Sequence, residues 1–322
     1  MRVVHIGMGQ FGIGWFKALA ARKDMELSGV VDISEEALKN AAECGCKLYT
    51  DAALAMDEQK PDFIFNATPP AIHKLINKLA YERGIPILSE KPIAEGYSDA
   101  VEILEFSQNG LKLMIAENYR YLAPNRFIKN LLESGQIGDV TDIKIEFRRK
   151  HIKTNYHKYL THPMLLDVGI HHLDMLRYFT GSEANSIYAD FHRPEWSWYQ
   201  GYSNANLLIT MENGVKACYN GRLDAHDNET SWYAGWAFTG EKGVLRYDGE
   251  TAQLYTEGKS TEISLPRDEI PFRDIILNHF KEYLENDILP ETHISDNIKT
   301  FNIAECALKS FELKKEVKLS CL

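Results

Sequence analysis

Val3-Val4-His5-Ile6-Gly7-Met8-Gly9-Gln10-Phe11-Gly12 sets a short apolar run directly before three glycines in GxGxxG spacing. Val3 to Ile6 reads as a strand buried on both faces, and Phe11, Trp15, Ala18 and Leu19 then recur with the period of a helix. Each glycine has a physical task here. Gly7 permits the tight turn, Gly9 lets backbone approach a pyrophosphate, and Gly12 lets the helix pack close to the strand. The helix start, at Gln10 and Phe11, offers N–H groups and the positive end of its dipole to phosphates. A second apolar run, Leu27 to Val31, ends in Asp32, whose carboxylate can accept hydrogen bonds from an adenosine ribose. Strand, glycine turn, helix, strand and acid in that order predict a dinucleotide-binding βαβ unit.

Bulk properties narrow the rest. At 322 residues, 44% of them hydrophobic, the chain can fill the cores of two domains. A net charge of −10 argues against a nucleic-acid backbone as partner. Arg148-Arg149-Lys150 is the one basic cluster, and its place after an alternating run reads as a solvated strand end. No apolar run approaches the ~18–20 residues of a membrane span, so no membrane partner is expected. Met1-Arg2 leads straight into the first strand with no room for a signal peptide. Five scattered cysteines, Cys44-Gly45-Cys46 included, read as reduced thiols in a cytoplasmic protein.

Downstream of Asp32, Ser34 and Asp51 stand where helix caps belong, and Lys47–Tyr49 reads as a third, weak strand. Asp62–Asn66, Ile85–Ser89 and Leu113–Glu117 are apolar strands that alternate with helices over 72–83 and 98–108. This alternation predicts a parallel, doubly wound sheet with ligands beyond the carboxyl ends of its strands. Four loops fall there: Gly7–Gly12, Asn66–Pro70, Glu90–Pro92 and Glu117–Arg120.

Three of these loops together, Gly7-x-Gly9-x-x-Gly12, Ala67-Thr68-Pro69-Pro70-x-x-His73 and Glu90-Lys91-Pro92, resemble the Gfo/Idh/MocA oxidoreductases, named after glucose-fructose oxidoreductase and inositol dehydrogenase. The Glu-Lys-Pro turn is the most specific of the signatures, and the resemblance runs the whole length of the chain. It implies that Lys91 hydrogen-bonds a substrate hydroxyl and steadies developing alkoxide, while Glu90 orients the turn. It also implies cofactor contacts from Ala67, Thr68, Pro69, His73, Glu90, Lys91 and Asn118, beside Gly7, Gly9, Gln10, Phe11, Gly12 and Asp32. A cis bond before Pro92 is part of the same expectation.

Beyond a junction near Tyr119–Pro124 the pattern changes. A helix over 125–134, a turn at Gly138-Asp139 and the alternating strand Ile143, Ile145, Phe147 are followed by His151, His157 and His162, whose spacing matches no metal motif. In Asp167-Val168-Gly169-Ile170-His171-His172-Leu173-Asp174, the residues Asp167, His171 and Asp174 fall at i, i+4 and i+7, one face of a helix. The family carries a similar Asp-x-Gly-x-His-x-x-Asp pattern. It implies His171 as general acid/base and Asp167 as substrate ligand and orienter of the His–Lys pair. By helix geometry His172 points about 100° away and reads as structural, and Asp174 reads as a helix-face partner with Arg177 a candidate at i+3. One departure stands out: many relatives have a glycine pair before the Asp, where this chain has Thr161-His162-Pro163-Met164-Leu165-Leu166. From Ser186 to about Ser264 the chain is strand after strand with hairpin turns, which predicts a mostly antiparallel open sheet. The aromatic segment Trp196–Tyr202 fits a sugar-stacking surface, an oligomer contact or loop packing equally. Helices over 271–284 and 297–313 and a strand over 316–320 close the chain.

The expectation is an α/β protein. Residues 1–120 form a Rossmann domain, and residues 121–322 form an α+β domain for substrate and oligomer contacts. The resemblance implies an NAD-dependent dehydrogenase acting on a secondary alcohol of a sugar, polyol or inositol-like compound, assembled as a dimer or tetramer through the open sheet. Asp32 favours NAD over NADP, because a carboxylate repels a 2′-phosphate. No metal is expected. Two rival readings share the fold: tightly held NAD serving chemistry without net redox change, and a dinucleotide-binding regulator.

Overall fold

The structure, a computed structural model, describes residues 1–152 and 156–319, with the backbone alone described at residues 156 and 157. The His157 side chain, Ser320 and Cys321 thus lie outside the described residues. Two units divide the chain: Met1–Asn118 with Ile270–Ile298, and Tyr119–Glu269 with Lys299–Leu322.

In the first unit the six strands β1 (Arg2–Ile6), β2 (Glu26–Val31), β3 (Lys47–Tyr49), β4 (Phe63–Asn66), β5 (Ile87–Ser89) and β6 (Leu113–Ile115) pair in the order β3-β2-β1-β4-β5-β6. Every pairing is parallel. Helices α1 (Gln10–Ala21), α2 (Glu35–Leu38), α3 (Ala52–Gln59), α4 (Pro70–Tyr81) and α5 (Tyr97–Gln108) provide the crossovers. The central strands are mostly apolar because both faces are covered, and Val3, Val4, Phe63, Ile64 and Phe65 are wholly buried. Ser34 and Asp51 cap α2 and α3 by accepting from the Ala37 and Leu54 amides. The segment Ile270–Ile298, which a linear division at residue 120 assigns to the second domain, clusters with this first unit. Its helix α8 (Phe272–Asn286) packs Phe280 edge-on against Phe63 at 5.1 Å, and the Thr292 hydroxyl donates to the Ile115 carbonyl at 2.8 Å.

The thiol expectation needs correction. Cys44 and Cys46 form a disulfide, with Cα atoms 5.4 Å apart. Gly45 lies between them at φ +74°, a left-handed conformation that costs glycine little, and it folds the chain tightly enough for the two sulfurs to meet. Cys218 and Cys306 are free.

His5 is buried in β1, stacked on Phe65 at 5.6 Å. Burial pushes its imidazole down to about 4, against weaker opposing influences from its bond to Gly7 and from Asp32. The unfolded chain therefore holds more protons on this ring between that value and 6.5. The stabilisation is intact above pH 6.5 and fades as pH falls toward 4, a loss of about 3 kcal/mol at the acid end. We expect the urea midpoint to drop between pH 7 and 4.5. His5→Gln should flatten the drop measurably; an unchanged pH slope in that variant would contradict the assignment.

The second unit carries a nine-stranded sheet made of β7 (Val140–Arg148), β8 (Ala184–His192), β9 (Asn204–Met211), β10 (Lys216–Arg222), β11 (Gly235–Gly240), β12 (Gly243–Tyr247), β13 (Ala252–Thr256), β14 (Lys259–Ile263) and β15 (Val317–Lys318). The order is β14-β13-β12-β11-β7-β10-β9-β8-β15, and only β7 with β10 is parallel. Helices α6 (Ala123–Glu133) and α7 (Ile170–Thr180) belong to this unit, as does α9 (Ile294–Leu313) from Lys299 onward. Inward residues such as Ile145, Phe147, Tyr219 and Phe238 are buried, and Phe179 of α7 meets Trp236 and Phe238 edge-on. Across the other face runs the register row Tyr188, Leu208, Cys218, Lys144, in which Tyr188 and Leu208 stay 41% and 57% exposed. Edge strand β14 falls within the strand-rich stretch, although Lys259-Ser260-Thr261-Glu262 has no apolar alternation to mark its bounds.

Candidate active site

In the first unit the glycine turn is built by close approach. A Cβ on Gly12 would lie 2.0 Å from the Gly7 carbonyl oxygen, and one on Gly7 would lie 2.6 Å from the Ala67 carbonyl group, so neither position tolerates a side chain. Gly7 sits at φ +101°. Behind the turn, His5 Nε2 meets the Gly7 carbonyl at 2.8 Å and holds it in place. At the mouth, Asp32 accepts from the Met8 amide at 2.7 Å and the Ser34 amide at 2.8 Å. Each carboxylate oxygen has two lone pairs, so ribose hydroxyls can still be received there. Gly9 begins α1 without a side-chain cap, which leaves the dipole end for phosphates. The donor set and the space fit a dinucleotide. We expect Gly12→Ala to weaken NAD binding by about a hundredfold or more, read as Kd from fluorescence quenching, because only backbone movement can relieve the clash. A near-normal Kd would contradict this reading of the cradle.

The next two loops are tied together. Asn66 accepts from the Thr68 amide at 3.2 Å and the Thr68 hydroxyl at 2.7 Å, which shapes the turn after β4. His73 is buried, with Nε2 2.9 Å from the Thr68 carbonyl and Nδ1 2.9 Å from the Pro92 carbonyl. Its ring thus fastens one loop to the other, a positioning task rather than a direct reach toward a ligand. Burial keeps this imidazole below its ordinary pKa, the three surrounding carbonyls opposing.

The Glu90-Lys91-Pro92 turn follows β5 and contains the cis bond before Pro92. Glu90 accepts from the Trp15 indole at 2.5 Å and from the Lys91 amide at 3.0 Å. Trp15 itself is buried against Phe65, so a core residue of α1 anchors the turn. The Lys91 ammonium lies 5.9 Å from the centre of the Phe11 ring, at the carboxyl edge of the sheet and beside the glycine turn. Asn118 follows the buried Glu117, which accepts from the Asn118 amide at 3.1 Å.

In the second unit a π-helical turn, Met164–Gly169, feeds α7. Gly169 makes it possible: a Cβ there would stand 2.8 Å from the Met164 carbonyl oxygen, five residues back. Asp167 and His171 stay part-exposed, whereas Asp174 is fully buried. Asp174 accepts a two-pronged ion pair from Arg120 at 2.6 and 2.7 Å and a bond from the Thr300 hydroxyl at 2.8 Å, with Arg177 3.7 Å away. His171 stacks on Tyr119, ring centres 4.5 Å apart. His172 is buried between the Tyr219 hydroxyl and the Trp232 carbonyl, each 3.0 Å away, as a structural residue should be.

Residues 1–116 match the model of an oxidoreductase family with an NAD-binding Rossmann fold, and residues 125–246 match the GFO/IDH/MocA C-terminal domain. The chain belongs to the Gfo/Idh/MocA oxidoreductase family. It is similar to an uncharacterised protein of Sinorhizobium fredii, 28% identical over 99% of this chain and 95% of that one. The D-apiose dehydrogenase of Rhizobium rhizogenes is 26% identical over 96% of each chain. An oxidoreductase of Agrobacterium radiobacter, solved with NAD+, L-tartaric acid and magnesium, superposes with a TM-score of 0.90 at 23% identity, covering 99% of this chain and 98% of its own, and so shares the fold. This Gfo/Idh/MocA protein is thus an NAD-binding oxidoreductase with a parallel six-stranded Rossmann sheet and a mostly antiparallel nine-stranded sheet.

Other residues around the Gfo/Idh/MocA motifs were not legible beforehand. Arg148 and Arg149 stand at the part-exposed end of β7 but do more than face solvent. Arg148 donates to the Asn228 carbonyl at 3.0 Å, and Arg149 pairs with Glu229 at 2.9 Å and donates to the Thr230 carbonyl at 2.9 Å. Together they hold the loop after β10. Asp224 is fully buried, accepting from Ser203 at 2.6 Å and Asn204 at 3.1 Å. His162 packs among Phe191, Tyr202 and Phe311, and burial pushes its imidazole down to about 4. Among the described residues no group of three or more His, Cys, Asp or Glu side chains is arranged to hold a metal. No helix among them is long and apolar enough to cross a membrane.

Proposed function

We propose that this protein is an NAD-dependent dehydrogenase that oxidises a secondary alcohol of a sugar, polyol or inositol-like compound. The observation that carries the reading is the Lys91 turn, whose backbone Glu90 and Trp15 fix at the carboxyl edge of the sheet, with its ammonium beside Phe11 of the glycine turn. NAD, when bound, supplies the hydride acceptor. In this reading Gly7, Gly9, Gln10, Phe11, Gly12 and Asp32 hold the dinucleotide, helped by Ala67, Thr68, Pro69, Glu90 and Asn118. The Lys91 ammonium hydrogen-bonds the reacting hydroxyl and lowers the cost of alkoxide character on it. His171 takes the hydroxyl proton at an imidazole nitrogen, and Asp167 binds neighbouring hydroxyls. The acid at position 32 favours NAD over NADP. The D-apiose dehydrogenase relative supports a carbohydrate as substrate.

The same reading takes the open face of the nine-stranded sheet, with its Tyr188 and Leu208, as the contact between two copies in the cytoplasm, checked by light scattering behind gel filtration.

The test is NADH formation at 340 nm by the purified protein with NAD across pyranoses, furanoses, inositols and open-chain polyols. Turnover with one substrate group is the expected result. Silence across the panel in a protein that binds NAD would overturn net dehydrogenation and favour chemistry on a tightly held dinucleotide.

A further inference from the structure

The Cys44–Cys46 disulfide closes the turn between α2 and β3, with Gly45 exposed at its tip. Backbone groups wind that turn tightly. The Cys44 amide donates to the Ala41 carbonyl at 3.1 Å, and the Cys46 amide reaches the Cys44 sulfur at 3.2 Å. Both cysteines are part-exposed and line a cavity of about 350 Å³ between the end of α1 and the start of β2, together with Met25, Leu27, Ser28 and Lys47. Both also pack against the apolar cluster of Met8, Phe16, Val30, Leu38 and Ala41. That cluster reaches the dinucleotide cradle through Met8, whose amide donates to Asp32 at 2.7 Å. A second link is β3, which begins at the residue after Cys46 and forms the edge of the sheet. The Tyr49 carbonyl of β3 accepts from the Asp32 amide at 3.1 Å. Asp32 is thus tied to the disulfide turn by two routes, one through side-chain packing and one through the backbone.

We propose that Cys44 and Cys46 are a thiol–disulfide exchange site for a small, tripeptide-sized thiol, and that opening the bond weakens dinucleotide binding. The cavity beside the bond has the volume of a small-molecule site and gives such a thiol its approach. A thiolate from one small thiol attacks a cysteine sulfur, the Cys44–Cys46 bond breaks, and the displaced cysteine sulfur takes up a proton. A second small thiolate attacks the external sulfur of the mixed disulfide and releases the other cysteine as a thiol. Two small thiols are thereby oxidised to one disulfide, and the protein bond takes up two electrons and two protons. A ring spanning three residues constrains the unfolded chain little, so the bond is ill suited to holding the whole fold and its opening acts locally. What it sets is the path into a three-residue edge strand, which has few bonds of its own to keep it in place. Once β3 loosens, the Asp32 backbone loses its hold and the carboxylate its fixed aim. The effect on binding rests on the reading of Asp32 as a ribose ligand; the exchange site does not.

The test poises the full chain in buffers of reduced and oxidised glutathione, the probe thiol, with and without saturating NAD. Acid quenching, alkylation and peptide mass spectrometry read Cys44 and Cys46 apart from Cys218 and Cys306, and calorimetry gives the Kd for NAD. The bond is expected to open and reclose with the ratio of reduced glutathione squared to oxidised glutathione, through a mixed disulfide. The open form should bind NAD about fivefold or more weakly, and saturating NAD should raise the ratio needed for half-opening by the same factor. Cys44→Ser combined with Cys46→Ser should show the weakened Kd at every ratio. A bond that stays closed in excess reduced glutathione, cysteines that stay thiols in excess oxidised glutathione, or an equal Kd in both states would each overturn the proposal. So would loss of cooperative urea unfolding in the open form, which would make the bond a staple of the fold. Asp32→Ala separates the two readings. Normal NAD binding by that variant, while the Kd of the unaltered protein still follows the bond, would remove Asp32 as ribose ligand and leave the exchange site standing. Weak binding by Asp32→Ala, beside a Kd indifferent to the bond, would do the reverse.

Discussion

Lys91→Ala is expected to lower kcat by about a thousandfold while leaving the Kd for NAD within a few-fold of its normal value. The turn itself should survive the substitution. Glu90 is held by the Trp15 indole and the Lys91 amide, and the amide remains in alanine. What disappears is one positive charge at the carboxyl edge of the sheet, where a hydroxyl oxygen gains negative character during oxidation. Lys91→Arg keeps the charge but replaces a compact ammonium by a planar fork, so it should recover only part of the rate. Steady-state kinetics with an independent NAD titration checks both. Full activity in Lys91→Ala would remove Lys91 from the chemistry.

Asp174→Ala is the substitution with the largest expected effect on stability. It removes a buried carboxylate that receives two bonds from Arg120, one from Thr300 and the nearby charge of Arg177. Arg120 and Arg177 are themselves 8% and 4% exposed at the side chain, so two cations would be left out of water facing one another. Arg177 keeps its pair with Glu183 at 2.6 Å, which softens the loss without cancelling it. Stranding one member of a buried pair costs about 3–5 kcal/mol. The urea midpoint should fall accordingly, and the α7 start that presents His171 should loosen with it. Asp174→Asn, which keeps the shape and can still accept hydrogen bonds, should fall less. Wild-type stability in Asp174→Ala would show that the network contributes nothing net.

The first unit was largely legible because its signals are local. Gly12 is set by a backbone clash with Gly7 five residues back and Gly7 by its left-handed φ, and strands such as β1 and β4 are short apolar runs. The task of His73 was not legible, because its partners at Thr68 and Pro92 are backbone carbonyls and leave no mark in side-chain spacing. In the second unit, helical spacing marked Asp167, His171 and Asp174 but not their different burial. The π-helical turn over Met164–Gly169 was not legible, since its sole trace in sequence is a glycine before a helix. Arg120 could not be matched to Asp174, 54 positions away, nor Trp232 to Tyr119 across 113, since such pairings exist only after the sheet has assembled. The Cys44–Cys46 disulfide escaped because an odd number of scattered cysteines argues for free thiols, whereas the deciding factor was the backbone freedom of Gly45.

The central claim is that this protein moves a hydride from a carbinol carbon to a nicotinamide. It is tested most directly by supplying a cyclic polyol deuterated at its carbinol carbons with unlabelled NAD, and weighing the recovered dinucleotide by mass spectrometry. One deuterium per reduced dinucleotide, absent with Lys91→Ala, is the result the account predicts. Deuterium found only in water or retained in the polyol, with the dinucleotide unlabelled, would contradict it.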